Sequence, residues 1–215
     1  MRKKLIIWDW NGTLLDDLDL CVALLNRMTG QFGDGRRYDR ESYRAIFGFP
    51  IHDYYVRAGI DFSHQSYEEL AAEYMTHYIP ESRACSLNVE AGVALSLARQ
   101  AGLRQTVLSA SPRTTLLEQV AERGISDYFE ELLGLGDIYA NSKVELGRDY
   151  IRRCGLLPAE AMMVGDTTHD LEVAEAIGVD CVLYAGGHQP AALLAATGAP
   201  VAPTLLGAVS EVMAR

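Results

Sequence analysis

The chain has 215 residues, of which 49% are hydrophobic and 22% are charged, and its formal net charge at pH 7 is −10. This length suits one large domain or a core domain with a small second one, and the acidic charge argues against a nucleic-acid groove, which needs a basic face. No stretch reaches the roughly 18 apolar residues of a membrane span, and the four cysteines form no zinc pattern, so we expect a cytoplasmic protein that binds neither nucleic acid nor membrane.

Short apolar runs along the chain predict the strands of a parallel sheet, because strands that are buried on both faces are continuously hydrophobic. These runs are residues 5–8 (LIIW), 106–109 (TVLS), 161–164 (AMMV) and 181–184 (CVLY), with 131–135 (ELLGL) as a weaker candidate. Helical patterns that close on glycine alternate with them, at residues 89–102, 112–124, 143–155 and 168–178. The alternation predicts the α/β class, with a doubly wound parallel sheet from about residue 86 onward.

The segment between the first strand and the rest of the sheet has a different pattern. Apolar side chains such as those of Leu20 and Leu24 recur there at helical spacing, and no convincing strand pattern is present. Seven of the eleven tyrosines in the chain lie between Tyr38 and Tyr78. We therefore expect a small all-helical cap domain inserted after the first strand. The predicted domains are an α/β core of residues 1–15 and 86–215 and a cap of residues 16–85.

Polar side chains follow three of the predicted strands, at the edge where ligands of an open parallel sheet bind. Asp9 follows the first run, Ser109 and Ser111 follow the second, and Asp166 follows residues 161–164. Lys143 and Asp170 stand at the starts of two predicted helices. The fold would bring Asp9, Ser109, Lys143, Asp166 and Asp170 together at one edge of the sheet.

A cluster of this composition has a specific chemistry. Carboxylates that lie close together repel one another unless a cation neutralises them, and oxygen ligands without cysteine or clustered histidine favour Mg²⁺. Mg²⁺, Lys143 and the Ser109 hydroxyl could hold a phosphoryl group, and Asp9 could attack its phosphorus to form an aspartyl phosphate. Each residue alone has an ordinary explanation as a turn, a helix cap or a solvated side chain, so the prediction rests on their occurring together in this order.

Four motifs in the same order resemble those of the haloacid dehalogenase superfamily, in its large phosphatase branch. They are DWNGTLLDD (9–17), VLSAS (107–111), Lys143 and VGDTTHD (164–170). The resemblance extends over essentially the whole chain, since the helical segment lies where that branch inserts a cap. The cap stretch YRAIFGFP (43–50) resembles the substrate-facing loop of phosphoglycolate phosphatase-like members, so Arg44 could reach a distal anionic group of the substrate or form a surface salt bridge.

The resemblance implies a role for each matching residue. Asp9 would be the nucleophile, and Lys143 and Ser109 would hold the phosphoryl group. Asp9, the backbone carbonyl of Asn11 and Asp166 would bind Mg²⁺, and Asp170 would support the site through water or through Lys143. The implied substrate-binding residues are Gly12, Thr13, Arg44, Ser109, Ala110 and Lys143, and the implied metal ligands are Asp9, Asn11, Asp166 and Asp170.

Asn11 departs from the family pattern, in which a second aspartate usually occupies this position. That aspartate protonates the leaving oxygen and then activates the water that breaks the aspartyl phosphate, and an amide can do neither. His169 is the nearest candidate in the sequence for a substitute base, although a place on the helix surface is the more common role of such a histidine.

We therefore expect a Mg²⁺-dependent phosphomonoester hydrolase that acts on a small phosphorylated metabolite through an aspartyl phosphate, as a monomer or a homodimer. A catalytically impaired relative that binds a phosphorylated ligand or a protein partner is the main alternative, and a phosphomutase is also open. A phosphonate hydrolase of this superfamily would need a lysine in the cap, and no lysine lies between Lys4 and Lys143. A dehalogenase works without metal and has little use for the carboxylates of VGDTTHD.

Overall fold

A six-stranded parallel sheet forms the centre of the protein in the computed structural model, which describes residues 2–136 and 142–215. The strands are β1 (Leu5–Trp8), β2 (Arg104–Pro112), β3 (Leu132–Leu135), β4 (Ala161–Gly165), β5 (Asp180–Tyr184) and β6 (Val201–Ala202). Their order across the sheet is β3-β2-β1-β4-β5-β6, and every neighbouring pair is parallel. The predicted α/β sheet is confirmed, including its weaker strand, whereas β6 was not predicted because two residues are too few to show a pattern.

Ten α-helices lie in the described ranges, and the last six of them, from residue 91 onward, cover the two faces of the sheet. In chain order they are α1 (Leu18–Phe32), α2 (Arg40–Ile46), α3 (Ile51–Arg57), α4 (Tyr67–Glu81), α5 (Ala91–Gln100), α6 (Arg113–Glu122), α7 (Lys143–Arg153), α8 (Thr168–Ile177), α9 (Ala191–Ala195) and α10 (Leu205–Met213). The four helices predicted for the core are present as α5 to α8, and each ends one or two residues before the glycine that closes its pattern. None of the helices in the described ranges has both the length and the apolar composition to span a membrane.

The strand residues alternate between two hydrophobic layers, which explains why the strands are apolar throughout. In β1, Ile6 and Trp8 belong to the buried cluster that contains the apolar faces of α5, α6 and α10. Leu5 and Ile7 belong to the opposite cluster, which contains those of α7, α8 and α9. Because successive side chains of a strand point to opposite faces, β1 is buried on both sides at the centre of the sheet.

The helices α1 to α4 pack around a buried cluster of their own, which includes Leu24, Tyr43 and Leu70. The expected helical character of this segment is therefore present. Two chain segments connect these helices with the sheet, and they run side by side because the Asp16 N–H donates to the carbonyl of Ser86. The division of the chain into core and cap, with the boundaries given above, stays a prediction. We refer to α1–α4 as the helical region.

Candidate active site

The predicted cluster forms at the carboxyl ends of β1 and β4. Asp9 follows β1 and Asp166 follows β4, while Lys143 and Asp170 lie in the first turns of α7 and α8. The Lys143 ammonium donates hydrogen bonds to Asp9 Oδ1 at 2.5 Å and to Asp170 Oδ1 at 2.6 Å, and all three side chains are buried. Residues that are 134 positions apart in the sequence thus meet in one ion-paired group.

The start of α8 holds Asp170 in place. Its Oδ2 accepts hydrogen bonds from the N–H groups of Asp166 and Thr167, at 3.1 and 3.0 Å, and from the Thr167 hydroxyl at 2.7 Å. Thr167 is also the cap of the helix, since its side chain accepts from the N–H of Asp170. With Oδ2 used in this way, Asp170 presents Oδ1 to Lys143, which is one of the two arrangements that the family resemblance implies.

Burial and mutual repulsion raise the pKa values of two carboxyl groups in this cluster, which carries more negative than positive charge. Burial raises the pKa of Asp9 to about 8, with a further contribution from the charge of Asp170, while Lys143 acts in the opposite direction. Burial also raises the pKa of Asp166 to about 6. Asp170 is buried as well, but the charge and hydrogen bond of Lys143 lower its pKa, and the two carboxylates raise the pKa of Lys143 against the effect of burial. One ammonium therefore faces three carboxylates, an excess of negative charge that a further cation would neutralise.

Asp166 is closely surrounded by Gly12 and Gly187. Its Oδ1 accepts from the Thr13 hydroxyl at 3.0 Å, and its Oδ2 accepts from the N–H of His188 at 2.6 Å. A Cβ atom at either glycine would overlap with the Asp166 carboxylate, and Gly12 has a φ of +74°, which other residues rarely adopt. Gly12 and Thr13, which were predicted to bind substrate, therefore pack against Asp166 and do not line the cavity.

The end of β2 brings Ser111 to the cavity and buries Ser109 beneath it. The Ser109 hydroxyl is fully buried and accepts from the N–H of Ser111 at 3.0 Å. The Ser111 hydroxyl donates to Asn11 Oδ1 at 2.8 Å, and Ser111 lines the cavity together with the predicted Ala110. Since β2 continues three residues past its predicted end, the hydroxyl at the cavity belongs to the second serine of VLSAS, and the predicted role of Ser109 in holding the phosphoryl group stays a prediction.

A second group of polar side chains, beside Asn11, was not predicted from the sequence. The Asn11 Nδ2 donates to Asp17 Oδ2 at 3.0 Å and to the Tyr78 hydroxyl at 2.5 Å, and that hydroxyl donates to Asp17 Oδ2 at 2.6 Å. Asp17 Oδ1 accepts from the N–H of Gly12 at 2.9 Å and pairs with His188 Nε2 at 3.1 Å. The Asn11 amide is therefore oriented by a buried carboxylate of its own motif.

Asp17 and His188 form a buried ion pair. Burial opposes both charges, yet their attraction lowers the pKa of Asp17 and raises that of His188 to about 9. His188 follows β5 in the stretch AGGHQP, so a search for polar side chains after every predicted strand would have found it. Nothing in the sequence links it to Asp17, which lies 171 positions away.

The helical region contacts the loop after β5 through α2. Arg44 donates from Nε to the carbonyl of Gly187 at 2.7 Å and from Nη2 to the carbonyl of Gly186 at 2.6 Å. The neighbouring Tyr43 hydroxyl bonds to His188 Nδ1 at 3.0 Å. The Arg44 guanidinium thus binds backbone carbonyls and forms no salt bridge with the described residues, and its contact with a substrate stays a prediction.

His169 lies on the first turn of α8 and lines the cavity. Its ring stacks on Phe49 of the helical region, with a distance of 4.4 Å between the ring centroids. Its Nδ1 bonds to Glu172 Oε2 at 3.1 Å. The role of His169 as a substitute base stays a prediction.

A cavity of about 390 Å³ lies between the carboxyl edge of the sheet and the helical region. On the sheet side, Asp9, Asn11, Lys143, Asp166 and Asp170 line it. The opposite side is formed mainly by apolar and aromatic side chains of the helical region. The cavity therefore joins a charged floor to an apolar wall.

The floor of the cavity fits a hard divalent cation. Asp9, Asp166 and Asp170 can each present a carboxylate oxygen within 4.8 Å of the others. Among the described residues, none donates a hydrogen bond to Asp9 Oδ2 or to the backbone carbonyl of Asn11, so both oxygens are available as ligands. An all-oxygen set with excess negative charge is the kind of site that Mg²⁺ prefers.

Comparison with known proteins identifies the family. The haloacid dehalogenase-like hydrolase model matches residues 6–184. Tyrosine-protein kinase PtkA of Mycobacterium tuberculosis is 28% identical over 200 residues, which cover 92% of this chain and 67% of that protein. The solved structure of PtkA is similar over 98% of each chain, with a TM-score of 0.79 and 26% identity.

Two further relatives carry phosphatase names. Pyrophosphatase PpaX of Bacillus velezensis is 25% identical over 189 residues, which cover 82% of this chain and 81% of that protein. The phosphoglycolate phosphatase of Pseudomonas syringae pv. tomato is 25% identical over 198 residues, which cover 86% and 71%. The family predicted from the four motifs is confirmed, and this chain belongs to the haloacid dehalogenase-like hydrolases.

Proposed function

We propose that this hydrolase is a Mg²⁺-dependent phosphomonoesterase that works through a phosphorylated Asp9 and acts on a small phosphate ester. The observation that carries the proposal is the pairing of Lys143 with Asp9 Oδ1 at the end of β1. This pairing leaves the other oxygen of Asp9 beside the cavity, without a hydrogen bond from the described residues. The names of the relatives include a phosphatase, a pyrophosphatase and a kinase, which supports phosphoryl transfer as the shared chemistry.

In the first step, a carboxylate oxygen of Asp9 attacks the phosphorus of the ester. An oxygen–phosphorus bond to Asp9 forms, and the bond between phosphorus and the ester oxygen breaks, so that this oxygen leaves with the electron pair and takes its proton from water. Lys143 neutralises charge on the transferring group, and the Ser111 hydroxyl, which lies at the same cavity, can donate to that group when it gives up its hydrogen bond to Asn11 Oδ1. Mg²⁺ bound by Asp9, Asp166 and the Asn11 carbonyl would supply the remaining positive charge.

In the second step, water attacks the phosphorus of phospho-Asp9, releases inorganic phosphate and restores the carboxylate. The water needs a base, and the Asn11 amide cannot accept a proton. Asp17 is a poor substitute, because the charge of His188 lowers its pKa against the effect of burial, which makes it a weak base. We therefore expect the second step to be slow and phospho-Asp9 to accumulate.

Removal of divalent cations should abolish the activity. With a chromogenic aryl phosphate, whose leaving group needs little protonation, we expect phosphate release in Mg²⁺, none after treatment with EDTA, and recovery when Mg²⁺ is added back. The reason is that Lys143 alone cannot neutralise three carboxylates and a phosphoryl group. Full activity after chelation would contradict the metal assignment, and no release under any condition would favour a relative that only binds its ligand.

Arg44→Ala should affect substrates with and without an anionic tail to the same extent. Its guanidinium binds the carbonyls of Gly186 and Gly187, so the substitution should loosen the contact between α2 and that loop and lower the free energy of unfolding by about 2 kcal/mol. Urea unfolding and KM values for the two kinds of substrate are the measurements, and Glu41→Ala, at an exposed position of the same helix, is the control. A KM increase confined to anionic substrates would restore the substrate contact expected from the sequence.

A further inference from the structure

Aromatic rings form the cavity wall that faces the charged floor. Eight of the lining residues between positions 43 and 78 are tyrosine or phenylalanine. Tyr43, Tyr54, Tyr55 and Tyr78 are each at most 6% exposed, so their rings are fixed by packing. These four rings therefore form a preformed apolar surface, to which Phe47, Phe49, Tyr67 and Tyr74 add partly exposed rings.

The protein itself already bonds the hydroxyls of three of these tyrosines. The Tyr43 hydroxyl bonds to His188 Nδ1 at 3.0 Å, and the Tyr74 hydroxyl donates to the Cys21 thiol at 3.3 Å. The Tyr78 hydroxyl donates to a carboxylate oxygen at 2.6 Å. What these residues offer to a ligand is accordingly the surface of their rings.

Within the described part of the chain, the basic side chains around the cavity are already engaged by other groups. Lys143 lies between two carboxylates, and His188 pairs with a third. His169 bonds to the Glu172 carboxylate, and Arg44 binds backbone carbonyls without lining the cavity. A second anionic group on a substrate would enter an apolar wall without a countercharge, which is unfavourable.

We propose that the alcohol released from the substrate carries an uncharged aromatic ring. The ring lies between the aromatic residues of positions 43–78 while the phosphoryl group lies at Asp9 and Lys143. An apolar cavity of about 150 Å³ is enough to bind benzene, and the cavity here has about 390 Å³, which leaves room for a ring and its phosphoryl group. The proposal rests on the proposed function, which places the phosphoryl group at Asp9, and it disfavours 2-phosphoglycolate as the preferred substrate.

Two matched phosphonates test the ring preference without requiring turnover. 2-Phenylethylphosphonate and 2-carboxyethylphosphonate share the phosphonate and the linker, and they differ only in a terminal phenyl or carboxylate. In calorimetric titrations of the wild-type protein with Mg²⁺, we expect the phenyl compound to bind roughly tenfold more tightly or better, since its ring leaves water for an apolar wall. Equal affinities, or tighter binding of the carboxylate compound, would overturn the proposal.

A substitution in the aromatic wall tests whether the tighter binding of the phenyl compound arises in this cavity. Met75 lines the cavity from α4, so Met75→Arg adds a cation there, whereas Met75→Leu keeps the wall apolar and of similar volume. We expect Met75→Arg to reduce the ratio of the two affinities by roughly tenfold and Met75→Leu to preserve it. An unchanged ratio in folded Met75→Arg would overturn the placement of the ring, and if that variant does not fold, the wild-type comparison still decides.

The rates at which two esters are hydrolysed distinguish a failure of this proposal from a failure of the proposed function. Benzyl phosphate and 2-phosphoglycolate both release an alkyl-type alcohol, so leaving-group strength is not their main difference. We expect kcat/KM to be higher for benzyl phosphate. If neither ester is hydrolysed although the phenyl phosphonate binds more tightly, the hydrolase proposal fails and the ring preference stands. If 2-phosphoglycolate is the better substrate, the hydrolase proposal stands and the ring preference fails.

Discussion

Replacement of Asp9 by asparagine should reduce phosphate release by roughly 10³-fold or more, because the amide cannot act as the nucleophile. The protein should still fold, since Lys143 keeps its hydrogen bond to Asp170. Folding raises the pKa of Asp9 to about 8, so above the ordinary pKa of a carboxyl group this residue destabilises the native state. In metal-free buffer at neutral pH, we therefore expect the melting temperature of Asp9→Asn to equal or exceed that of the wild type.

Asp16→Asn is the matched control, because it makes the same chemical change at an exposed aspartate of the same motif. Steady-state rates with an aryl phosphate should be those of the wild type in Asp16→Asn and close to background in Asp9→Asn. Mass spectrometry of the intact proteins after exposure to a reactive phosphoryl donor should detect one added phosphoryl group in the wild type and none in Asp9→Asn. Phosphorylation of Asp9→Asn, or a rate near that of the wild type, would show that another residue is the nucleophile.

Exchange of the amide and the carboxylate at positions 11 and 17 should accelerate the breakdown of phospho-Asp9 by roughly 10²–10⁴-fold, the usual contribution of a general base. The double substitution Asn11→Asp/Asp17→Asn introduces an acid at position 11, where the family usually has one. Asp17 Oδ2 now accepts from Asn11 Nδ2 at 3.0 Å, and Asp17 Oδ1 accepts from the N–H of Gly12. After the exchange, the amide nitrogen at position 17 takes the place of Oδ2 and donates to the new carboxylate, while its oxygen still accepts from Gly12.

Asn11→Asp alone should be much less effective. It places a second carboxylate at about the hydrogen-bond distance from Asp17 Oδ2 with no proton between them, so one of the two must take up a proton. The ion pair with His188 keeps Asp17 ionised, so the proton goes to position 11, and a protonated carboxyl group there cannot serve as a base. The sequence alone would suggest that this single substitution restores the family's chemistry, and the position of Asp17 is the reason that we expect otherwise.

The wild type, the two single variants and the exchange variant would be compared by two measurements. These are rapid-quench measurement of the phosphoenzyme and steady-state rates for esters with poor leaving groups. Asp17→Asn alone measures the effect of losing the ion pair with His188. A single Asn11→Asp variant as fast as the exchange would disprove the coupling between the two positions. If the wild type is fast and no phosphoenzyme is detected, another base must act, and His169 is the first residue to replace. If the wild type is inert and the exchange does not activate it, the non-catalytic alternative is favoured.

The sequence by itself determined five of the six strands of the sheet and the charged floor of the cavity. Runs such as residues 5–8 predict buried strands because their apolar character is local, and β1 has the predicted bounds. Asp9, Lys143, Asp166 and Asp170 could be placed together in advance because parallel strands carry their carboxyl ends to one edge, whatever the loops between them do. The family assignment follows from the same residues, since their order along the chain is itself the motif.

Only the tertiary structure decided which polar groups face one another and which surface the tyrosines present. Asp17 and His188 are 171 positions apart, and Tyr78 reaches the Asn11 amide from α4. A local pattern records how one element is buried, whereas a hydrogen bond between two elements depends on how they dock against each other, to within a few tenths of an ångström. For the same reason, the tyrosine-rich segment is visible in the sequence, but only its packing turns the hydroxyls toward the protein and the rings toward the cavity beside Asp9.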